Sequence, residues 1–346
     1  EEVNSGTLEI NSTWSDSFST TVRGSYRDYN RAQTPFGGNA FPQMEVCTDA
    51  TANGSATSCT GTRLFFGPDI SRHSNALNTE NLSFDVSGRY DTGDFTLRLN
   101  AGYTRVNVYN LFLQRSLGDF YFDSLADFTA GNAARLRYGN AVPSNDPNDA
   151  AARFNTTNWT FGTQVDWQVT PTLDLTLGAR YDLFDNNVLP PLNANFLARY
   201  GYSNRSTFKG RGAFQPRFAA NWEATDRLVV RVGAGVFAGG TPDVYLSNVF
   251  SNTGQLTNAV DITRANCAAS GTCAALNGLT TGTIPTSVVD FLSRNTASLA
   301  AAPTDNIDPD LKIAQKFKAT FQADYNADLG GLGDNWLFGV QFLYDN

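Results

Sequence analysis

The stretch from Asn158 to Phe184 constrains this chain most: it reads as two strands joined by a tight turn, with one face apolar from end to end. On the first arm Trp159, Phe161, Thr163, Val165 and Trp167 alternate with Thr160, Gly162, Gln164 and Asp166. After a turn at Val169-Thr170-Pro171-Thr172, the residues Leu173, Leu175, Leu177, Ala179, Tyr181 and Leu183 alternate with Asp174, Thr176, Gly178, Arg180 and Asp182. Strand side chains point to opposite faces with period two, so the hairpin has one apolar and one polar face. Each arm is about ten residues long, the length a strand tilted near 45° needs to cross bilayer hydrocarbon. Aromatic rings sit near the ends of the apolar face, where amphipathic rings meet lipid headgroups.

The same unit recurs along the chain. Alternation predicts strands at Thr7–Trp14, Phe18–Tyr26, Leu82–Tyr90, Phe95–Tyr103, the two opening arms, Phe214–Trp222, Leu228–Val236, Phe317–Tyr325 and Trp336–Tyr344. Short turns alternate strictly with long connections at about 29–77, 113–152, 185–211 and 239–313. Short turns on one side and long extracellular loops on the other are the pattern of outer-membrane barrels. Connections of this length would count against a compact soluble domain. Within them, Phe122–Gly131 reads as one helical turn with an Asp or Ser cap and a Gly stop. Val288, Val289, Phe291 and Leu292 suggest a short amphipathic helix capped by Thr286.

A soluble β-sandwich also alternates, so the faces must decide between lipid and water. The fifty outward positions of the ten strands hold no Asp, Glu, Lys or Arg, although 17% of the chain is charged. A lipid-facing Arg or Lys costs about 2–4 kcal/mol at mid-bilayer, which accounts for the exclusion. A sandwich core would exclude charge too. Aromatic placement separates the two: Trp14, Trp159, Trp167, Trp222 and Trp336 all fall on the outward phase close to strand ends. They are the expected lipid-facing anchors.

Composition agrees. No run of eighteen apolar residues is present, which excludes a transmembrane helix. A mean hydropathy of −0.29 does not exclude a barrel, since only alternate strand residues face lipid. The expected fold class is therefore all-β, a transmembrane antiparallel β-barrel segment spanning 1–346. Its expected place is integral to a Gram-negative bacterial outer membrane, in contact with membrane lipid and lipopolysaccharide. A net charge of −8 argues against nucleic acid as a partner. The cysteines form two close pairs, Cys47 with Cys59 and Cys267 with Cys273, without zinc-site spacing and with a single histidine in the chain. Local disulfides in an oxidising compartment fit them better.

Few residues invite a reading as a chemical site, and no catalytic, cofactor or metal site is expected. Gly233-Ala234-Gly235-Val236-Phe237-Ala238 formally matches a dinucleotide fingerprint, but that motif must open a helix, and Gly239-Gly240-Thr241-Pro242 would break one. His73 is expected to be a solvated loop residue, with no serine or acidic partner placed for it by spacing. Asp305, Asp308 and Asp310 lack the spacing of a Ca²⁺ loop and read as a solvated acidic stretch. The inward set Gln164, Asp166, Arg180, Asp182, Arg217 and Arg231 either lines a substrate route or grips a plug, or else forms a mutually satisfied polar wall. For most of these residues the wall is the favoured reading. Asp243 and Tyr245, in the longest loop, are further candidates for the substrate route.

Three segments carry a family resemblance. The stretch Gly233–Asn248, continuing to Phe250-Ser251-Asn252-Thr253-Gly254, resembles the strand-to-loop signature of Oar-like TonB-dependent outer-membrane receptors. Phe122–Gly131 and Asn306–Ile313 resemble two other stretches of those barrels. The resemblance is most specific over 212–254, and the first eighty residues match only in pattern. It implies a 22-stranded barrel filled by a plug, importing a scarce ligand with energy from an inner-membrane TonB complex. The expectation is then about ten strands from the interior of such a barrel. No signal peptide, plug or TonB box is visible, and with periplasmic short turns Glu1 and Asn346 would both fall at the extracellular rim. A passive porin-like channel is the alternative, as is a structural or adhesive protein or barrel subunit working with other envelope proteins.

Overall fold

Each short turn of the sequence closes a β-hairpin, and the hairpins join edge to edge. The computed structural model describes residues 1–49, 58–240, 243–279, 282–295, 299 and 302–346. Strands in the first half are β1 (Glu2–Ser15), β2 (Phe18–Ala32), β3 (Gln43–Cys47), β4 (Arg63–Phe66), β5 (Ser74–Asp91), β6 (Phe95–Leu113), β7 (Asp119–Phe122) and β8 (Arg135–Ala141). The second half adds β9 (Ala152–Thr170), β10 (Leu173–Asp185), β11 (Arg211–Thr225), β12 (Leu228–Ala238), β13 (Thr257–Thr263), β14 (Gln315–Ala327) and β15 (Trp336–Asp345). Helices are α1 (Leu125–Ala130), α2 (Ala194–Tyr200), α3 (Asp243–Ser251), α4 (Cys267–Ser270) and α5 (Thr286–Arg294).

Ten strands form one antiparallel sheet in the order β1-β2-β5-β6-β9-β10-β11-β12-β14-β15. Its registers align like faces. Leu97 lies opposite Val165, Val165 opposite Leu177, and Leu177 opposite Phe218, so apolar rows run unbroken across strands. A slip of one residue would turn Asp85, Arg98 and Asp166 to the other face, which the cost of charge in lipid forbids. The outward rows are open rather than packed: Leu8 is 69% exposed, Phe161 48% and Val340 60%. They are not the inside of a sandwich. The sheet is itself open, since β1 borders only β2 and β15 only β14 among the described residues.

Strand length exceeds what a bilayer needs. β6 and β9 each run for 19 residues, whereas about 9–11 cross the hydrocarbon, so this side of the wall rises well above the membrane. β12 has 11 residues and β15 has 10, so the other side stops near the surface.

The long connections are not loose. Their strands build a second sheet in the order β13-β8-β7-β3-β4, drawing on three different loops. Its core is Val46, Phe120, Phe122, Leu136, Tyr138, Val260 and Ile262, closed by Val288 and Leu292 of α5. Two disulfides pin it, Cys47–Cys59 and Cys267–Cys273. α1 has Ser124 as N-cap, accepting from the Asp127 N–H, and Gly131 as a left-handed stop at φ 69°. Thr286 does not cap α5: it is the first helical residue, Pro285 holds the cap position, and no side chain closes that end.

Leu136 is fully buried in this lobe, and Leu136→Ala should cost it about 2–5 kcal/mol. The expected result is protease-sensitive loops with unchanged amide protection in the ten-stranded sheet. Loss of protection in both together would show that the lobe and the wall unfold as one.

Candidate functional site

The inward face of the ten-stranded sheet is a polar wall organised around a few carboxylates. Asp182 on β10 is 5% exposed and accepts from Thr160 Oγ1 of β9 at 2.8 Å, Arg180 Nε at 2.9 Å and Gln215 Nε2 of β11 at 2.7 Å. Asp166 accepts from Gln164 Nε2 at 3.0 Å and Thr176 Oγ1 at 2.8 Å, and pairs with Arg98 of β6. Arg231 pairs with Asp324 across β12 and β14 at 2.5 Å, and Gln322 donates to the same carboxylate at 2.8 Å. Thus Gln164, Asp166, Arg180, Asp182 and Arg231 belong to mutually satisfied groups. Arg217 differs. Its guanidinium lies over the Phe237 ring at 4.7 Å and joins no ion pair among the described residues. Gly235 lies directly opposite it, where a Cβ would come within 3.2 Å of Arg217 Cγ and 3.1 Å of the Phe237 ring. The glycine of the dinucleotide-like motif therefore makes room for this stack. The motif continues a strand as far as Ala238; Thr241 and Pro242 lie outside the described residues.

Above this wall the inward phase turns apolar, and α3 lies against it. Leu246, Val249 and Phe250 form the helix's buried face, packed with Phe154 of β9, Phe184 of β10 and Ala213 of β11. The rings of Phe154 and Phe250 stack at 4.9 Å with an interplanar angle of 13°. Asn110 Nδ2 of β6 donates to Ser247 Oγ at 2.8 Å. The other side of α3 carries Asp243, Val244 and Tyr245, all exposed, Tyr245 at 68%. The helix thus roofs the upper inner wall and turns these three residues away from the wall. Their i, i+3, i+4 counterpart, Leu246-Val249-Phe250, was the available signal for a docked helix.

Two braces hold the roof. Buried Asn193 caps α2 through Oδ1 and donates through Nδ2 to Thr253 O and Thr304 Oγ1, both at 2.9 Å. Arg211 donates to the carbonyls of Asp308 at 3.2 Å, Pro309 at 2.9 Å and Leu311. Among the three loop carboxylates, Asp305 accepts from Asn252 Nδ2 and so ties the end of α3 to the returning chain, while Asp308 accepts from the Asp310 N–H in a local turn, both at 2.7 Å. No cluster of three metal-ligating side chains occurs among the described residues.

His73 is not the solvated loop residue expected. It is 4% exposed and staples the first loop to the second. The Leu117 N–H donates to Nδ1 at 3.2 Å, so the ring proton sits on Nε2, which donates to Pro68 O at 3.2 Å. Spacing could not reveal this, because Pro68 offers only a backbone carbonyl and Leu117 comes from another loop. Burial lowers the imidazole pKa, outweighing the Pro68 carbonyl and the nearby Asp119 and Asp69, which favour the proton; Arg115 opposes it.

The outward residues are equally explicit. Trp14 (66%), Trp159 (42%), Trp167 (45%), Trp222 (49%) and Trp336 (47%) are all exposed on the apolar phase. Trp159 packs against Tyr103 at 4.6 Å on the upper side, and the other four lie near the short turns.

Residues 1–332 match the outer membrane beta barrel domain model. The chain belongs to that family. It is an integral protein of the bacterial outer membrane, and its ten strands are part of a barrel wall. No curated protein matches the chain. Among solved structures it is similar to the outer membrane transporter YddB from Escherichia coli, at 11% identity and a TM-score of 0.55, covering 99% of this chain and 34% of that one. It is also similar to a mutant of the ferric enterobactin receptor PfeA from Pseudomonas aeruginosa, at 10% identity and a TM-score of 0.47, over 99% of this chain and 34% of that one. The chain thus spans about a third of the length of these proteins.

Two outcomes follow for the barrel. Asp182→Ala strands three inward donors, and each donor left unsatisfied costs about 1–3 kcal/mol. The midpoint of urea unfolding from lipid vesicles should fall; an unchanged midpoint would mean that water replaces the carboxylate freely. For His73 the sign is fixed by its lowered pKa. The staple is fully present above the unfolded-state pKa and weakens as pH falls below roughly 6.5, where only the unfolded ring takes a proton. The protection of the Leu117 amide, its exchange rate taken relative to the intrinsic rate at each pH, should therefore fall as pH drops from about 7.5 to 5, and that fall should vanish in His73→Gln.

Proposed function

We propose that this chain is barrel wall from a TonB-dependent outer-membrane receptor that takes up a scarce ligand, acting in transport rather than catalysis. One observation carries the reading: a helix of the longest loop is docked on the inner wall by its apolar face and presents Asp243, Val244 and Tyr245 on its opposite side. A wall with a built-in roof suits a gated route better than a permanently open pore. Likeness of fold to an outer membrane transporter supports the same reading. An unpaired strand edge is not tolerated in hydrocarbon, so β1 and β15 would each pair with further strands to close the barrel. Coupling to a TonB complex would run through a plug resting on the polar wall, where Arg217 offers an unpaired cation to an acidic group.

A second reading, an adhesive or assembly role at the cell surface, draws on the loop lobe. Its edge strand β4 leaves Leu64, Phe65 and Phe66 exposed. Stable co-purification with another envelope protein, with no uptake defect on deletion, would favour it.

Deleting the plug-coding region of the full gene should abolish energy-dependent uptake, and uptake that survives would overturn the receptor reading. Tyr245→Ala should weaken ligand binding by about tenfold while leaving the barrel assembled. Steady ion conductance from the purified intact protein in planar bilayers would point instead to a passive channel.

A further inference from the structure

The connection between β14 and β15 is unlike the other short turns. Those at 16–17, 92–94, 171–172 and 226–227 hold no leucine, isoleucine, valine or aromatic side chain. The segment 328–335 is longer and sets Leu329 and Leu332 among three glycines. Leu332 is 74% exposed. A single open leucine carries no message by itself, so its placement must decide. The segment is a folded turn: the Leu329 N–H donates to Gly333 O and the Gly333 N–H to Gly330 O, both at 2.9 Å. Gly330 and Gly333 have φ of 58° and 97°, which only glycine adopts without strain.

This turn is tied to the lipid-facing side of the sheet. Trp336, the first residue of β15, stands on the outward phase with its ring stacked on Phe338 at 6.5 Å and 17°. Its Nε1 donates to Leu332 O at 3.0 Å. The indole projects outward from the sheet, so the backbone at Leu332 lies on the lipid side of the wall and not under the lumen. Ala327, opposite Trp336 on the same phase, is 9% exposed where Tyr325 is 46%, so the foot of the turn is covered on that side. Asp328 is taken up by the neighbouring turn, pairing with Arg227 at 2.5 Å and accepting from the Asn335 N–H at 3.2 Å. Asp334 stays exposed, as a charge at headgroup level must.

We infer that the 328–335 turn is seated in the periplasmic phospholipid leaflet, with Leu332 as its apolar anchor and Trp336 as the residue that holds it there. Short turns of outer-membrane barrels face the periplasm, and belt tryptophans mark the headgroup boundary. A carbonyl bonded to the Trp336 indole lies at that depth. The occupant is the membrane because the patch continues the lipid-facing row of Trp336, Phe338 and Val340. The seat matters on this side of the wall. β15 has 10 residues, about what a crossing needs, and it has no tall extension to fix its height. An anchor in the leaflet fixes it, whatever the barrel carries.

The test places a nitroxide on the turn of the intact protein in vesicles of ethanolamine and glycerol phospholipids. The label goes on Leu332→Cys, with Thr172→Cys as the aqueous standard and Val340→Cys as the lipid standard. Cys47, Cys59, Cys267 and Cys273 are bonded in pairs and do not compete for it. Power-saturation EPR then compares collisions with oxygen, which concentrates in lipid, and with a water-soluble nickel chelate. Chelate collision at 332 should be about tenfold below that at 172, with oxygen favoured over chelate as at 340. Trp336→Phe keeps a ring in the belt but loses the indole N–H, and it should raise chelate collision at 332 several-fold. Chelate access at 332 equal to that at 172 would overturn the assignment. So would low collision with both reagents, which would mean that protein covers the turn, or an unchanged profile in Trp336→Phe.

Discussion

Inside hydrocarbon a peptide group has no water to turn to, so every N–H and C=O must find a partner along the sheet. The rest of the molecule follows from that requirement. β5 and β6 keep one register from Ser74 opposite Leu113 to Asp91 opposite Thr96. An uninterrupted ladder fixes the phase of every side chain on it, so the same registers align the apolar rows outside and the charges inside. Neither face could be rearranged without breaking the ladder.

The inner wall reconciles charge with confinement. Asp182, Asp166 and Asp324 each collect several donors from neighbouring strands, so the groups stand satisfied whether or not anything fills the space beside them. Such a wall is stable in its own right and leaves only a few groups available to a visitor. Arg217 stacked on Phe237 is one of them. The upper wall solves a different problem, because Phe154 and Phe184 would be exposed apolar groups on an aqueous face if α3 did not cover them.

Above the membrane the tall side of the sheet supports a second hydrophobic core, built from segments that none of the long loops could fold alone. β3 pairs with β7 in parallel across two loops, and β8 pairs with β13 across a third. The disulfides close local loops of this lobe, with Cys47 buried beside Tyr121 and Ala134. Buried His73 adds a non-covalent tie between the first two loops.

Residue order alone determined the ten membrane strands, their sequence in the sheet and the face each presents, because period-two alternation is a local property and hydrocarbon tolerates no exception to it. Pairing of Cys47 with Cys59 and of Cys267 with Cys273 was legible for the same reason, being short in sequence. The strand ends were set too low, since Asp28, Glu80, Arg105 and Arg153 break the apolar pattern while the ladder runs on beneath them. Alternation at Arg135-Leu136-Arg137-Tyr138 and at Val260-Asp261-Ile262 was present but silent, for a strand of this length means nothing until its partner is known. Those partners lie in other loops, as does the Leu117 amide bound to His73, and the wall that receives α3 lies on strands β9, β10 and β11. Tertiary structure alone decided them, because a contact between distant segments is specified by how their surfaces fit and not by anything written in either one.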